Sequence, residues 1–508
     1  MEAATPGPRA PDPGLINDDL RPTGPAERQW STMHMASLWI GMVVCVPTYT
    51  LAGGLVSEGM NWWQAVLTIL LGNVIVLVPM ILNGHAGARY GVPFPVLARA
   101  SFGVKGAHIP SVLRALVACG WFGIQTWFGG FAIYQLINVL AGDALVGPDI
   151  PLLDINAGEF GCFVAFWALQ VAIIHRGVES IRLLETLAAP FLIAVGLALL
   201  GWAYVTAGGF DAMLQMPSAF GPGGRREGEF LSVFVPSLTA MVGFWATLSL
   251  NIPDFTRYAR SQRDQALGQA IGLPTTMTLF AFISVAVTAA TTVIFRDPVT
   301  GALHEPVWDP TVLAGMIGGG ATVFLSLFAL AVATLSTNIA ANVVSPANAL
   351  INLAPQRVSF RTGGFVTAGI GFAILPWKLI ASTSGYIFTW LVGYSALLGP
   401  IIGVLLADYF LLRRMRLDID GLFREQGPYT YRGGYNPAAL AAFGLAVLPN
   451  VPGFLHQAGA FGDGVIPPIF DTLYTYAWFV GVLLAAGLYL LFMRLAPGAS
   501  AAAAPESP

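Results

Sequence analysis

Charge is what this chain has least of. Only 10% of its 508 residues are Asp, Glu, Lys or Arg, and 56% are hydrophobic, where a soluble domain carries about 25% charged residues. So little charge cannot cover the surface of a water-soluble protein this long, which excludes the reading as about three soluble domains that length alone suggests. Mean hydropathy is +0.69, and the chain reads as a polytopic membrane protein. Net charge is −3, and the densest basic cluster is Arg413-Arg414-Met415-Arg416, which excludes nucleic acid as a partner. Cysteine is scarce too. Cys45, Cys119 and Cys162 lie in apolar stretches without CxxC spacing, so neither a disulfide framework nor a thiolate metal site is expected. Neither HExxH nor GxSxG occurs, and the six histidines are scattered over loops and span ends. A membrane-embedded enzyme is therefore the weaker alternative, and no cofactor is expected. A channel would need a continuous polar pore or a ring of charge, which a single polar helix does not supply.

A bilayer core takes about 20 apolar residues per helix. Twelve candidate spans fall at 36–56, 62–83, 110–140, 157–175, 184–207, 230–256, 268–295, 321–350, 363–377, 384–411, 435–451 and 472–494. With the N-terminus inside, all but Arg225, Arg226, Arg296 and Lys378 of the 24 basic residues fall on the cytoplasmic side, as the positive-inside rule requires. The opposite loops carry Asp143, Asp149, Asp154 and Asp463. Both termini are expected in the cytoplasm and the protein in the plasma (cell inner) membrane. Residues 1–30 and 496–508 are expected as disordered cytoplasmic tails around a transporter domain at 31–495, since Pro6, Pro8, Pro11 and Pro13 mark a Pro-rich, polar opening. Glu185, Asp254 and Asp408 stand near the cytoplasmic ends of their spans, Glu159 near an outer end, and no charge is expected at mid-depth. Charge there is costly and marks charged cargo or a proton relay, so its absence points to a neutral substrate.

Two spans are interrupted. The first carries Pro47 within Gly41-Met42-Val43-Val44-Cys45-Val46-Pro47-Thr48, and the sixth carries Pro253 after Gly243-Phe244-Trp245. Proline cannot donate to the helix ladder, and transporters place their sites where helices break at the membrane midplane. The two spans are five apart, in corresponding places of a five-plus-five repeat. Span eight carries Thr334, Ser336, Thr337, Asn338, Asn342, Ser345 and Asn348. Asn338, Asn342 and Ser345 share a helix face, suited either to a small hard cation or to hydrogen bonding with substrate, beyond the interhelical role such residues commonly play. In span three, Trp121 and Gln125 are one turn apart. An indole plane beside a primary amide suits a flat heterocycle, whose ring stacks while its edge is read by the amide.

Several stretches in order resemble the nucleobase–cation symporter-1 family of cytosine, uracil, purine, allantoin and hydantoin permeases. They are Asn83-Gly84-His85-Ala86-Gly87, Tyr90-Gly91-Val92-Pro93-Phe94-Pro95, Gly120-Trp121-Phe122-Gly123-Ile124-Gln125-Thr126-Trp127, Phe244-Trp245-Ala246-Thr247-Leu248 with Asn251-Ile252-Pro253-Asp254, Thr334-Leu335-Ser336-Thr337-Asn338 with Asn342, and Ala407-Asp408-Tyr409-Phe410. The resemblance covers about Asn17 to Arg494. It implies an all-α fold of twelve transmembrane helices, a LeuT-type five-plus-five inverted repeat plus two C-terminal helices. It also implies import of a neutral planar N-heterocycle by symport with a cation, sodium favoured over proton. By resemblance, Trp121 and Trp245 would sandwich the ring, and Gln125 and Asn342 would bind its amide edge. Sodium would take the carbonyls of Gly41, Val44 and Ala333 and the hydroxyls of Ser336 and Thr337. Cys45 falls where some members carry a substrate-touching amide, which leaves the substrate among uracil, a purine base, allantoin or a hydantoin. Phe244 stands where some members have a small residue and would narrow the pocket.

Overall fold

Helix starts and stops follow the local chemistry of the chain. The computed structural model describes residues 11–495 apart from Gly177 and Gly319, and apart from the side chains of 178–189, 321, 322, 336 and 340. The side chains of Glu185 and Ser336, and the expected tail at 496–508, thus lie outside the described residues. Ser31 caps α1 (Thr32–Val43) by accepting from the His34 N–H, as N-terminal hydroxyls do. Helix α2 (Val46–Ser57) follows at 62° to α1. Asn61 caps α3 (Trp62–Tyr90), which ends at Gly91 with φ 71°, a left-handed C-terminal turn that glycine adopts without steric cost. The short α4 (Phe94–Phe102) is buried at every residue. Then come α5 (His108–Ala141) and a small antiparallel hairpin of β1 (Asp149–Ile150) and β2 (Ile155–Asn156). Helices α6 (Ala157–Arg176), α7 (Val178–Ala207) and α8 (Phe210–Met213) close the first half.

The second half opens with the sixth expected span, which is built from three pieces: α9 (Phe230–Phe244), α10 (Ala246–Asn251) and α11 (Pro253–Thr256). It continues through α12 (Gln262–Ile294), α13 (Pro310–Met316), α14 (Gly320–Asn342), α15 (Val344–Leu353), α16 (Phe360–Ala373) and α17 (Pro376–Leu379). The tenth expected span is α18 (Val392–Leu406) with π-helical turns at each end, Gly385–Leu391 and Ala407–Leu412. Helices α19 (Pro437–Val447), α20 (Val451–Gln457), α21 (Pro468–Thr475) and α22 (Ala477–Leu495) complete the chain.

Among the described residues, nine helical stretches are long and apolar enough to cross a membrane, and ten if the bent pair α1–α2 is one span. The other two expected spans, 230–256 and 363–377, fall on helices that end early. Phe230–Phe244 is 15 residues long and Phe360–Ala373 is 14, because Trp245 and Leu375 leave α-helical geometry (Leu375 φ 54°). Exposed Leu67, Leu71, Val74 and Val78 line one side of α3, as a surface facing hydrocarbon would. Along α12, Gly268 and Gly272 admit the α1 backbone, since a Cβ there would meet Thr32 O at 2.7 Å and Ala36 O at 2.9 Å respectively.

Of the expected N-terminal tail, residues 1–10 lie outside the described residues, and 11–30 are structured. Residues 11–30 dock on the arginine-rich face rather than trailing from it. Leu15 and Leu20 are buried in a cluster with Leu422, Phe423 and Tyr429. The chain pairs its backbone with three loops: Asp12 N–H to Phe423 O at 2.9 Å, Thr23 N–H to Gly91 O at 2.8 Å, and Trp30 N–H to Tyr258 O at 2.8 Å. Two apolar side chains and satisfied amides outweigh the polar, Pro-rich composition that suggested disorder. Within this segment the Arg21 guanidinium, bonded to Glu27 at 2.6 and 3.0 Å, holds that carboxyl down at about 2.

The same face is pinned by a buried ion pair. Arg413 Nε lies 2.8 Å from Asp408 Oδ2, with both side chains almost fully buried. The carboxylate also accepts from Ser101 at 3.0 Å and Tyr489 at 2.8 Å, and Arg413 donates to the Ala100 carbonyl. Together these tie α4, the end of the tenth span and α22. Removing one partner of a buried pair strands the other charge and costs about 3–5 kcal/mol. Asp408→Ala should therefore lower the thermal unfolding midpoint of the purified protein sharply, whereas Asp18→Ala on the exposed N-terminal segment should not; equal midpoints for the two variants would contradict the anchoring role.

Candidate functional site

Broken helices meet along the middle of α5, which packs against α14, α15, α16, α18, α10 and α2. Glycines make this approach possible. A Cβ at Gly120 would collide with the Trp390 ring, and one at Gly123 would collide with the Gly371 carbonyl, so α18 and α16 rest on the α5 backbone itself. Trp121 and Gln125, one turn apart, are both buried, at 6% and 5% exposure.

Four rings surround Trp121 edge-on: Phe244 at 5.3 Å between centroids, Trp390 at 6.1 Å, Tyr386 at 6.2 Å and Tyr394 at 6.3 Å. Trp245 occupies the break between α9 and α10, with φ −101° and ψ 6°. Its indole N–H donates to Asn73 Oδ1 of α3 at 2.8 Å, and its ring meets the edge of Trp39 at 5.2 Å. The ring of Phe244 touches both indoles, 5.3 Å from Trp121 and 4.9 Å from Trp245. Phe244 thus stands in contact with both tryptophans.

The amides form the second wall. Asn338 Nδ2 donates to the Phe122 carbonyl at 2.9 Å, to Thr126 Oγ1 at 3.2 Å and to Gln170 Oε1 at 2.7 Å. Its own Oδ1 accepts from Asn342 Nδ2 at 3.0 Å. Asn342 thus spends one of its two N–H groups on Asn338. Gln125 Oε1 is buried without a hydrogen-bond partner. A buried acceptor left unmade costs about 1–3 kcal/mol, which an incoming N–H would relieve.

At the first break, Cys45 adopts φ −147° and ψ 162° and its thiol lies 3.3 Å from Thr48 Oγ1. The Cys45 N–H turns to Val43 O at 2.9 Å instead of continuing the ladder to Gly41, so the Gly41 carbonyl loses that donor. A Cβ on Gly41 would meet nothing within 4 Å. Val44 and Ala333 belong to one buried cluster, Thr337 is buried, and Thr334 Oγ1 is buried with no partner. Four of the five expected cation donors thus come from the α1–α2 break and the facing stretch of α14, and the fifth, the Ser336 hydroxyl, is among the side chains outside the described residues. This donor set of uncharged oxygens suits a hard monovalent cation.

Sequence reasoning passed over Tyr386, Trp390 and Tyr394 around Trp121. Their i, i+4, i+8 spacing on one helix face was the available signal. It also passed over Asn73 and Gln170, single polar residues in apolar helices whose partners are distant in sequence.

A mostly helical membrane protein with helix breaks between α1 and α2 and between α9 and α10, and with buried rings and amides gathered around α5, has the architecture of a secondary transporter of the LeuT-like fold. A family model described as "Permease for cytosine/purines, uracil, thiamine, allantoin" matches residues 22–481, and the chain belongs to this family, the nucleobase–cation symporters, which are permeases and not enzymes. A purine-uracil permease of Arabidopsis thaliana is 47% identical over 484 residues, 95% of this chain and 78% of that protein. The allantoin permease of Bacillus subtilis is 40% identical over 490 residues, covering 96% and 95%. The structure of Mhp1, a nucleobase-cation-symport-1 family transporter, in a closed conformation with bromovinylhydantoin bound superposes with a TM-score of 0.71 at 26% identity, covering 96% of this chain and 99% of that one.

Asn338→Ala should remove the support of Asn342 and the two N–H groups that three acceptors on α5 and α6 share, each bond worth about 0.5–1.5 kcal/mol net. The expected outcome is a several-fold loss of ligand affinity, read by tryptophan fluorescence, with normal membrane insertion. Unchanged affinity would show that Asn342 is held by something else.

Proposed function

We propose that this protein imports an uncharged, planar N-heterocycle bearing ring N–H groups, by symport with sodium. The observation that carries the reading is the unpartnered, buried Gln125 Oε1 beside Trp121. It is an acceptor, so it calls for an N–H donor on the cargo; Asn342 of α14, whose amide can donate and accept, would read the rest of the edge. No Lys, Arg, Asp or Glu belongs to this set, which fits a neutral ring. Purines, uracil, allantoin and hydantoin, the compounds named for the relatives, all present N–H groups beside ring nitrogens or carbonyls. Trp121 and Trp245 supply the stacking faces, Phe244 limits the ring's thickness, and the thiol of Cys45 lies at the helix break where a polar contact would otherwise be made.

Sodium is favoured because the cation set is carbonyls of Gly41, Val44 and Ala333 with hydroxyls of Ser336 and Thr337, and contains no carboxylate to carry a proton. A cation bound there bridges α1–α2 to α14. If it favours the state that binds substrate, each ligand raises the other's affinity by the same factor. Transport follows by rocking of α1–α3 and α9–α12 against the remaining helices. The transporter domain is assigned to 31–495 with twelve crossings. The arginine bias supports a cytoplasmic basic face and cytoplasmic termini, in the cell membrane.

Replacing sodium by choline at fixed pH should abolish concentrative uptake of a labelled substrate; undiminished uptake would exclude sodium as the coupling ion. Trp121→Ala should weaken binding by about 5- to 150-fold, because stacking on an aromatic ring is worth roughly 1–3 kcal/mol. A competition panel of unlabelled uracil, cytosine, adenine, guanine, allantoin and benzyl-hydantoin reads out the preferred ring. Wild-type affinity in the Trp121 variant would remove that indole from the site.

A further inference from the structure

Behind the substrate-facing half of α18 lies a recess of about 410 Å³, within the range of small-ligand sites. Its walls include Val117 of α5, Trp390, Gly393 and Leu397 of the tenth span, and Val447 before the α19–α20 junction. No charged residue lines it. Leu116, Val451 and Phe454, at its rim, are exposed on the apolar outer surface, so the recess opens to hydrocarbon and not to either aqueous face. Water has little reason to fill such a space.

Two polar atoms sit among these apolar walls. Trp390 Nε1 and Asn450 Oδ1 are buried without hydrogen-bond partners, and both residues line the recess. Trp390 is five residues from Gly385 and Asn450 seven from Gln457, so each lies roughly 8–10 Å inside the acidic-face end of its helix at 1.5 Å per residue. That is near the boundary between the interfacial layer and the hydrocarbon core of a bilayer about 40–45 Å thick overall. From there the walls run a further two turns, to Leu397, towards mid-membrane.

We propose that this recess holds one acyl chain of a phospholipid from the leaflet at the acidic face. The chain ester carbonyl lies near the mouth, where the Trp390 N–H donates to it, and the hydrocarbon runs inward along Gly393 and Leu397. The headgroup stays outside, since nothing charged lines the walls. Trp390 is a shared wall: its ring stands 6.1 Å from Trp121 and rests on Gly120. A chain packed behind it holds the ring against the substrate-side indole, so the lipid steadies the aromatic box from outside.

The probe is a phosphatidylethanolamine with a diazirine midway along one acyl chain, reconstituted with the full-length protein in nanodiscs and photolysed. Peptides containing 389–397 and 447–454 should carry label. Ala396→Phe, which fills the recess, should lose most of that label while labelling of the open α3 surface at Leu67 and Leu71 stays constant. Should that variant fail to fold, Val451→Trp, which blocks the mouth from the lipid side, is expected to give the same selective loss. Absence of label from these peptides in the wild type, or equal label in a folded variant, would overturn the proposal. Because the readout is lipid contact and not transport, it stands or falls apart from the identity of the cargo.

Discussion

A bilayer offers no water to a broken helix, and this constraint organises the molecule. Every N–H and C=O released where a span is interrupted must find a partner in the protein or in what the protein carries. Side chains from neighbouring helices patch most of them. Asn83 of α3 donates to the carbonyls of Ser249 and Leu250, both at 2.8 Å, and Tyr386 donates to the Pro47 carbonyl at 3.2 Å. Asn251 reaches Ser345 Oγ at 3.0 Å, joining the sixth span to α15. Inside unbroken α5 and α14, by contrast, the side-chain acceptors Gln125 Oε1 and Thr334 Oγ1 are buried with no partner.

Rigidity around the site comes from the opposite arrangement. The Asn338–Thr126–Gln170 set links α14, α5 and α6 through satisfied amides and hydroxyls. In a low-dielectric interior, complete networks of this kind fix geometry, and incomplete ones are costly. Asn342 stands at the edge of this network, donating to Asn338 Oδ1. The buried Asp408–Arg413 pair does the same for the basic face, far from the site. Between these two anchors, α18 carries π-helical turns at both ends, a departure from regular geometry often found at functional segments. Tyr386 and Trp390 in the first of these turns contact Trp121.

Much of this was legible in the sequence because membrane physics writes itself in composition and period. The scarcity of charge, the arginine bias and the long apolar runs located the helices. Pro47 located the first break, and the Trp121–Gln125 spacing marked two side chains that are buried one turn apart on α5. The sixth span was read less well. Pro253 drew attention, yet the break nearest the site falls at Trp245, which has no intrinsic reason to leave a helix and does so through tertiary contacts with Asn73 and Trp39. The docking of residues 11–30 was misread for a related reason. Two leucines in a polar, Pro-rich stretch look like a tail until the surface that buries them is known. Likewise, that Phe244 would touch both indoles cannot be seen without the packing.

The central claim is that a buried, unpartnered acceptor, Gln125 Oε1, with the Asn342 amide opposite, reads ring N–H groups on an uncharged heterocycle. Calorimetric titration of the purified wild-type protein, in sodium, with the preferred ring and with its N-methylated analogues tests this most directly. The account predicts measurable binding of the parent ring and a loss of about tenfold or more, some 1.4 kcal/mol, for each methylation that blocks an N–H facing the amides. Equal affinity for parent and fully N-methylated rings would contradict it.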